Sequence, residues 1–282
     1  MNSVLIRVIF LKMQRSISPV LLLLLTAILQ LKPFAAEPRL SLGQQDYAWI
    51  LASAVVAVPA QIRYQNMTSV DTNTLHRRDL NGMDRWVAGT YSPAAATASD
   101  ILVLPFCALP MSLVAWDAWR GGKGLSPVWT EGVIFSEAIA ISSSIDLLVR
   151  SLKVHPRPLV YGKNVPAKER LSGEASGSFY SGHSSAAFLA AVYLSYTYPM
   201  RHPDFQGQAW LWAGTLTTAS AVAGLRVAAG KHFPSDVIVG ALAGGFFGWL
   251  LPYMHTQKDK SAPTMGMQLD DLGFHPQIAW TF

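Results

Sequence analysis

Long apolar stretches alternate with short polar segments along most of this chain. Seven such stretches carry at most three acidic side chains each, at residues 16–31, 47–62, 101–116, 124–149, 185–200, 205–225 and 237–257. A helix that crosses the hydrocarbon core of a bilayer needs about 20 mostly apolar residues, and about 17 is the lower limit. The longer stretches meet this length and the shorter ones approach it. The pattern therefore predicts six spans after residue 45, preceded by one N-terminal apolar segment.

Small residues within two of these stretches favour close helix packing. The segments AVAGL at 221–225 and GALAGGFFG at 240–248 carry the small side chains that let helices approach each other in lipid. We therefore expect an all-α fold, a polytopic membrane protein built as a six-helix transmembrane bundle.

The composition supports this class. The chain has 282 residues, of which 51% are hydrophobic and only 14% are charged, whereas soluble domains carry about 25% charged residues. A disordered chain, a coiled coil and a typical cytosolic enzyme are thus disfavoured. The single cysteine, Cys107, excludes an internal disulfide and a cysteine-based zinc site. The formal charge of +5 fits basic loops or an anionic ligand better than nucleic-acid binding.

The N-terminal segment 1–36 allows two readings. Three basic residues precede an apolar core and then PFAAEP, which is the shape of a secretory signal peptide. The cleavage site is poor, so an uncleaved anchor helix remains the alternative. A retained span here would change the parity of the crossings unless 47–62 does not fully cross.

Basic residues between the predicted spans indicate an orientation. Three basic loops fall on one face, which the positive-inside rule assigns to the cytoplasm; they contain Arg120 and Lys123, Arg201, and Lys258 and Lys260. The segments 63–100 and 151–182 and the turn near 227–235 then face outward.

Three short motifs fall on this outward face, each at the end of a predicted span. The first runs from Arg150 to Pro158, the second is SFYSGHS at 178–184, and the third runs from Arg226 to Asp236. Arginine offers a fork of donors that suits phosphate oxygens. A Ser-Gly-His sequence at a helix start presents free backbone N–H groups and the positive end of the helix dipole. Together these features point to a tetrahedral anion.

The third motif also contains a candidate nucleophile. His232 precedes Pro234, a residue favoured in the first turn of a helix, and Asp236 follows four residues after His232. We expect Asp236 to bind one imidazole nitrogen and fix the tautomer, which leaves the other nitrogen free to attack.

Other ionisable residues carry weaker expectations. Asp146, four residues before Arg150, is expected to form an ion pair that aims Arg150. Glu137 is either a functional residue or a polar contact within the bundle. Lys153 and His155 either assist phosphate binding or face water. The segment 71–98, with Arg77, Arg78, Asp84 and Trp86, is expected at the membrane interface above the site.

The three motifs resemble the signature of the type 2 phosphatidic acid phosphatase (PAP2) superfamily, in its bacterial membrane lipid phosphatase branch. That signature reads Lys-x6-Arg-Pro, then Pro-Ser-Gly-His, then Ser-Arg-x5-His-x3-Asp. The resemblance covers roughly residues 100–255. Three positions depart from it: Arg150 stands for lysine, Tyr180 for proline and Leu225 for serine. The first keeps the charge, and the other two supply neither charge nor nucleophile.

The resemblance implies a role for each matching residue. His232 is then the nucleophile that forms a phosphohistidine, oriented by Asp236, and His183 is the general acid. The residues that hold the phosphate oxygens are Arg150, Arg157, Ser181, Gly182 and Arg226. No metal and no cofactor is implied, and no carboxylate cluster accompanies the motifs.

The implied activity is hydrolysis of a lipid-linked phosphate or diphosphate. Candidate substrates are undecaprenyl diphosphate, phosphatidic acid or phosphatidylglycerol phosphate, and lipid A phosphates. A lipid phosphotransferase with the same site, a vanadium-dependent haloperoxidase and a non-enzymatic scaffold are the alternatives. The expected partners are lipids rather than nucleic acid, in a bacterial inner membrane with the site facing the periplasm.

The chain then divides into four parts. Residues 1–36 are a signal peptide or anchor, 37–99 hold the first span and an outward interfacial segment, 100–257 form the PAP2 phosphatase core, and 258–282 are a C-terminal tail too polar to span.

Overall fold

Six long helices form the body of the part of the chain that the structure describes. The computed structural model describes residues 40–256, 264–270 and 273–279. The helices are α1 (Gln44–Gln65), α2 (Pro93–Arg120), α3 (Ser126–Ser151), α4 (Gly182–Arg201), α5 (Gln208–Ala228) and α6 (Pro234–His255). Each lies at one of the apolar stretches predicted after residue 45. The segment 1–36, with its signal-peptide or anchor assignment, lies outside the described residues.

Short helical turns fill the connections at one end of the bundle. Between α1 and α2 these are Thr72–Thr74, Arg77–Asp79 and Gly82–Arg85, and between α3 and α4 they are Pro158–Tyr161, Ala167–Arg170 and Gly173–Ser176. The first group is fastened to the start of α6, because the buried Asp84 accepts hydrogen bonds from the backbone N–H and the hydroxyl of Ser235 at 3.0 and 2.6 Å.

The apolar character of the helices identifies a membrane protein. Among the described helices, α2, α3 and α6 are long and apolar enough to cross a membrane. Large apolar side chains such as Ile101 and Leu104 on α2 are about 70% exposed, at 67% and 73%. Such a surface suits lipid as the solvent.

The long helices run alternately up and down, and one hydrophobic core joins α2, α3, α4, α5 and α6. Ile134 from α3, Tyr193 from α4 and Val222 from α5 are fully buried within it. At the end where α2 finishes and α3 begins, Arg201 of α4 contacts Asp117 at 3.1 Å and Glu131 at 2.7 Å. The predicted outward segments gather at the opposite end, so the three motifs meet there.

Glycines in α6 allow it to lie directly against α4. A side chain at Gly240, Gly244 or Gly248 would collide with backbone atoms of Ser181, Ser185 or Leu189, respectively. These glycines are four residues apart and therefore share one face of α6. Their contact with α4 brings the start of α6 beside the start of α4, where the second and third motifs lie.

The segment after α6 adds two short strands. Strand β1 (Thr264–Asp270) pairs antiparallel with β2 (Gly273–Ala279), with Asp270 opposite Gly273. The all-α expectation therefore holds for the helical body and not for this segment. Aspartate and glycine favour turns, and they stand where the strands are joined, a feature that the hydropathy pattern does not capture.

The contact between α4 and α6 is testable at Gly244. We expect Gly244→Ala to lower the free energy of unfolding by about 1–3 kcal/mol, the usual cost of added volume in a packed interior. Gly224→Ala is the matched control, because Gly224 in α5 has open space around it, and alanine there should be neutral or stabilise by about 0.5–1 kcal/mol. Thermal melting of both variants in one detergent is the measurement. Equal melting temperatures would contradict the close contact.

Candidate active site

Three buried or half-buried arginines converge at the outward end of the bundle. Arg150, in the last turn of α3, forms the expected ion pair with Asp146 and lies over the Tyr64 ring, with its guanidinium carbon 5.4 Å from the ring centre. Arg157 donates a hydrogen bond to the Tyr64 hydroxyl at 3.0 Å. These two arginines thus share one tyrosine from the end of α1.

Arg226 reaches the same region from α5. Its Nη1 donates to the hydroxyl of Ser99 at 3.1 Å and to the carboxylate of Asp100 at 3.0 Å, both on α2. The side chain of Arg226 is only 8% exposed. Asp100 thus supplies the negative charge that accompanies this guanidinium.

The arginines retain unused donors. Within the described part of the chain, the buried Nε atoms of Arg150, Arg157 and Arg226 have no hydrogen-bond partner. A buried donor without a partner costs about 1–3 kcal/mol, and more for a charged group. An anion with several acceptor oxygens would satisfy such donors, so the arrangement is suited to bind a phosphate.

The start of α4 completes this anion site. Ser181 is fully buried, and its hydroxyl accepts the backbone N–H of Ser184 at 3.4 Å, which caps the helix. A side chain at Gly182 would collide with Nη2 of Arg150 and Oδ2 of Asp146. Glycine therefore lets the Arg150 guanidinium lie directly beside the helix end, where free N–H groups and the helix dipole favour an anion.

His232 is held as a neutral imidazole. It lies just before α6, is 1% exposed, and its Nδ1 donates a hydrogen bond to the carbonyl oxygen of Ser178 at 2.8 Å. Because a carbonyl only accepts, Nδ1 carries the proton and Nε2 carries the lone pair. Burial lowers the pKa of His232 from 6.5 to about 3, the charges of Arg157 and Arg226 act in the same direction, and Asp236 opposes them.

Asp236 differs from the expectation in how it acts. Its nearest oxygen is 3.8 Å from Nδ1 of His232, which is too long for a hydrogen bond. That oxygen instead accepts the backbone N–H of Phe233 at 2.8 Å and the hydroxyl of Ser178 at 2.6 Å. Asp236 therefore positions the Ser178 segment, and the Ser178 carbonyl fixes the tautomer of His232.

The other oxygen of Asp236 faces a second histidine. Nε2 of His155 lies 3.1 Å from Oδ1 of Asp236. Burial by itself lowers the pKa of His155, but the contact with Asp236 outweighs it and the net shift is upward from 6.5. His155 is therefore half-buried against the carboxylate of Asp236 rather than a fully exposed surface residue.

His183 contacts the carboxylate that also binds Arg226. Its Nε2 lies 2.8 Å from Oδ1 of Asp100. A carboxylate accepts hydrogen bonds, so Nε2 of His183 carries a proton in this contact. The side chains of His183 and Asp100 are 33% and 56% exposed, which places this proton on the open side of the site.

All eight residues predicted for the site are at this end of the bundle. Several partners were not predicted: Tyr64, Ser99 and Asp100 had no assigned role, and Ser178 was part of a motif without a function of its own. Of these residues, only Asp100 could have been recognised in the sequence as a candidate, since it is a carboxylate at the edge of an apolar stretch. Of the residues left open, Lys153 binds Thr68 at 2.9 Å in the neighbouring loop, and Glu137 lies elsewhere.

Comparison with known proteins yields one match. The family model described as PAP2 superfamily matches residues 132–260. The matched region contains all three motifs and begins within α3, so it does not include α1 or α2. No curated protein and no solved structure matches the chain significantly.

The lowered pKa of His232 makes a prediction for stability in acid. Between about pH 6.5 and pH 3 the unfolded chain binds a proton at His232 that the folded protein does not, so stability should fall as the pH falls through this range. His232→Asn keeps an N–H group for the Ser178 carbonyl and cannot titrate. We expect this variant to lose less stability than the wild type between pH 7 and pH 5.

Melting temperatures measured across that range test the prediction. His76→Asn, at an exposed position, is the control and should keep the wild-type profile. A His232→Asn profile parallel to that of the wild type would contradict the buried, neutral imidazole.

Proposed function

Because the chain belongs to the PAP2 superfamily over residues 132–260, we propose that it is an integral membrane phosphatase that hydrolyses a lipid-linked phosphate or diphosphate. The observation that carries this proposal is the pairing of unused arginine donors with a neutral histidine. Arg150, Arg157 and Arg226 each keep a buried Nε without a partner in the described residues. His232 presents an unprotonated Nε2 at the same end of the bundle.

The first chemical step uses the lone pair of His232. Nε2 attacks the phosphorus atom, the bond from phosphorus to the lipid oxygen breaks, and a phosphohistidine forms. The arginines and the backbone N–H groups at Gly182 hold the phosphate oxygens as charge shifts between them. The Ser178 carbonyl accepts a hydrogen bond from the Nδ1–H of His232 and stabilises the positive charge that the ring gains.

The second function in the site is proton transfer by His183. Burial, together with the charge of Arg226, lowers the pKa of His183 from 6.5 to about 4, so the ring takes up its second proton when the phosphate anion binds beside it. The imidazolium then gives one proton to the departing alkoxide, and the neutral ring that remains accepts a proton from the water that attacks the phosphohistidine. Phosphate is released, and both histidines return to their initial states. Asp100 holds His183 in place for these transfers. A general acid of this kind typically contributes a factor of about 10²–10⁴ in rate.

A groove beside the site supports a lipid substrate. It has a volume of about 380 Å³, lies between the outer ends of α5 and α6 and the Trp86 region, and is lined mainly by apolar side chains such as Val87, Val227 and Ile238. Arg226 and His232 are sequence neighbours of its walls. A lipid chain in this groove would bring its headgroup to the arginines. All the candidate substrates combine an apolar chain with a phosphate headgroup: undecaprenyl diphosphate, phosphatidic acid or phosphatidylglycerol phosphate, and lipid A phosphates.

The proposal of a periplasmic site in a bacterial inner membrane rests on the basic residues in the short connections opposite to the site; the long segments at the site end are basic as well, and some of their arginines serve the site. Arg120 ends α2, Lys123 lies between α2 and α3, and Arg201 ends α4. All three lie at the end of the bundle opposite to the site, and Lys258 and Lys260 follow α6 in the sequence. Basic residues collect on the cytoplasmic side of a membrane, which leaves the site on the outer side.

The proposal predicts a covalent intermediate on one residue. Brief incubation with a ³²P-labelled lipid phosphate from the panel above should leave acid-labile label on the wild-type protein, and mapping should place it on His232. His232→Asn should give no label and no turnover, because its amide lacks the nucleophilic lone pair while it keeps the bond to Ser178. Label on another residue, or no phosphate release from any lipid in the panel, would refute the proposal.

The division of roles predicts a leaving-group effect for His183. His183→Ala should slow the hydrolysis of a lipid phosphate by about 10²–10⁴-fold. With an aryl phosphate the loss should be much smaller, since that leaving group departs without a proton. His232→Asn is the comparison and should abolish turnover of both substrates. Equal losses for the two substrates in His183→Ala would exclude the general-acid role.

A further inference from the structure

A second cluster of ionisable side chains lies away from the active site. Asp46 at the start of α1, Glu137 near the middle of α3 and His255 at the end of α6 place one ligand atom each within 4.8 Å of one another. Nε2 of His255 is 3.1 Å from Oδ1 of Asp46 and 3.4 Å from Oε2 of Glu137. The proposed phosphatase chemistry uses none of these groups.

The hydrogen bonds of His255 determine which nitrogen faces the carboxylates. Its Nδ1 lies 2.8 Å from the carbonyl oxygen of Leu251, so Nδ1 carries a proton and donates it. In the neutral ring Nε2 therefore has a lone pair that points toward two carboxylate oxygens. Three electron-rich atoms at these distances repel one another unless a positive charge lies among them.

Burial of the three side chains makes an uncompensated negative charge among them costly. The side chains of Asp46, Glu137 and His255 are 2%, 3% and 9% exposed. Oε2 of Glu137 is buried and has no hydrogen-bond partner within the described residues. Two carboxylates with an imidazolium would leave a net charge of −1 in a low-dielectric interior, which is costly. Two carboxylates with a neutral histidine and a divalent cation sum to zero.

We propose that Asp46, Glu137 and His255 bind a divalent transition-metal ion, and that Zn²⁺ fits them best. Zinc binds histidine nitrogen and carboxylate oxygen at about 2.0–2.2 Å in tetrahedral geometry, which separates neighbouring ligand atoms by about 3.3 Å. The two distances from Nε2 of His255 lie on either side of that value. The bond from Nδ1 to Leu251 is the support that metal-binding histidines usually have. A water molecule would be the fourth ligand.

The site joins three helices at the end of the bundle opposite to the arginines. The backbone there is already linked, since Ser41 N–H donates to the His255 carbonyl at 3.1 Å and Leu40 pairs with Thr256. The other oxygen of Asp46, Oδ2, accepts a hydrogen bond from the backbone N–H of Gly43 at 2.7 Å, which holds the carboxylate in place. A metal ion here would have a structural role and would fix α1 against α3 and α6.

Metal content of the purified protein tests the inference directly. The chain is prepared without a polyhistidine tag, dialysed in detergent and analysed by mass spectrometry. The wild type should hold about one equivalent of zinc or another transition metal, and Glu137→Gln and His255→Gln should lose at least nine-tenths of it. Glu131→Gln is the matched control, because Glu131 is also buried but pairs with Arg201. His232→Asn controls for metal at the active site, and both controls should keep the metal.

A second measurement does not depend on whether the variants fold. Zn²⁺ added to chelator-treated wild-type protein should raise its melting temperature by roughly 5 °C or more at 100 times the dissociation constant. Co²⁺ in place of Zn²⁺ should give the strong visible absorption of a four-coordinate site. A wild-type protein that holds no metal and does not respond to Zn²⁺ or Co²⁺ would overturn the inference and leave a cluster neutralised by protons. Loss of metal in the His232→Asn control would also overturn it. Neither result bears on the labelling of His232.

Discussion

The mutual repulsion of three arginines in a low-dielectric space is the constraint on which the rest of the active site depends. The partners of the three guanidinium groups lie on three helices. They are Asp146 on α3 for Arg150, Tyr64 on α1 for Arg157, and Asp100 on α2 for Arg226. These partners are enough to keep the arginines together and too few to satisfy them, since the Nε donors remain unused. In the proposed function, both the repulsion and the unmade hydrogen bonds would be relieved by a bound phosphate, so the site is organised for an anion in advance.

Burial and the same positive charges are consistent with the proposed role of His232 as the nucleophile. Burial is the larger reason that the ring stays neutral, and an imidazolium next to Arg157 and Arg226 would also be repelled. Asp236 raises the pKa of His232, but by less than burial and the arginines lower it. Its carboxylate binds the Phe233 N–H and the Ser178 hydroxyl and contacts His155 rather than the His232 ring. A backbone carbonyl, which has no formal charge, orients the nucleophile without making it more basic than the site tolerates.

Local features of this structure were predictable from the sequence, and long-range ones were not. Hydropathy located the six long helices, and the short spacing within each motif placed the predicted residues at one end of the bundle. The i, i+4 spacing of His232 and Asp236 nevertheless misled, because His232 precedes the helix and Asp236 turns back to the unsatisfied N–H at its start. The partners of the arginines lie far away in sequence, 93 residues between Tyr64 and Arg157 and 126 between Asp100 and Arg226. No local pattern carries that information.

Helix α1 shows how an element outside the family-matched region becomes part of the site. Its buried residues form one stripe, which contains Asp46, Ser53, Ala60 and Tyr64, and most of its other large side chains are exposed. Helix α1 packs closely along α3, but a helix surrounded by lipid gains little from the hydrophobic effect. The position of α1 along α3 therefore depends on its polar ends. Tyr64 lies between two arginines at one end, and Asp46 meets Glu137 and His255 at the other. Because Asp46 and Tyr64 belong to one continuous helix, fixing Asp46 constrains the position of Tyr64. The position of Tyr64 in turn constrains the spacing of the guanidinium groups of Arg150 and Arg157.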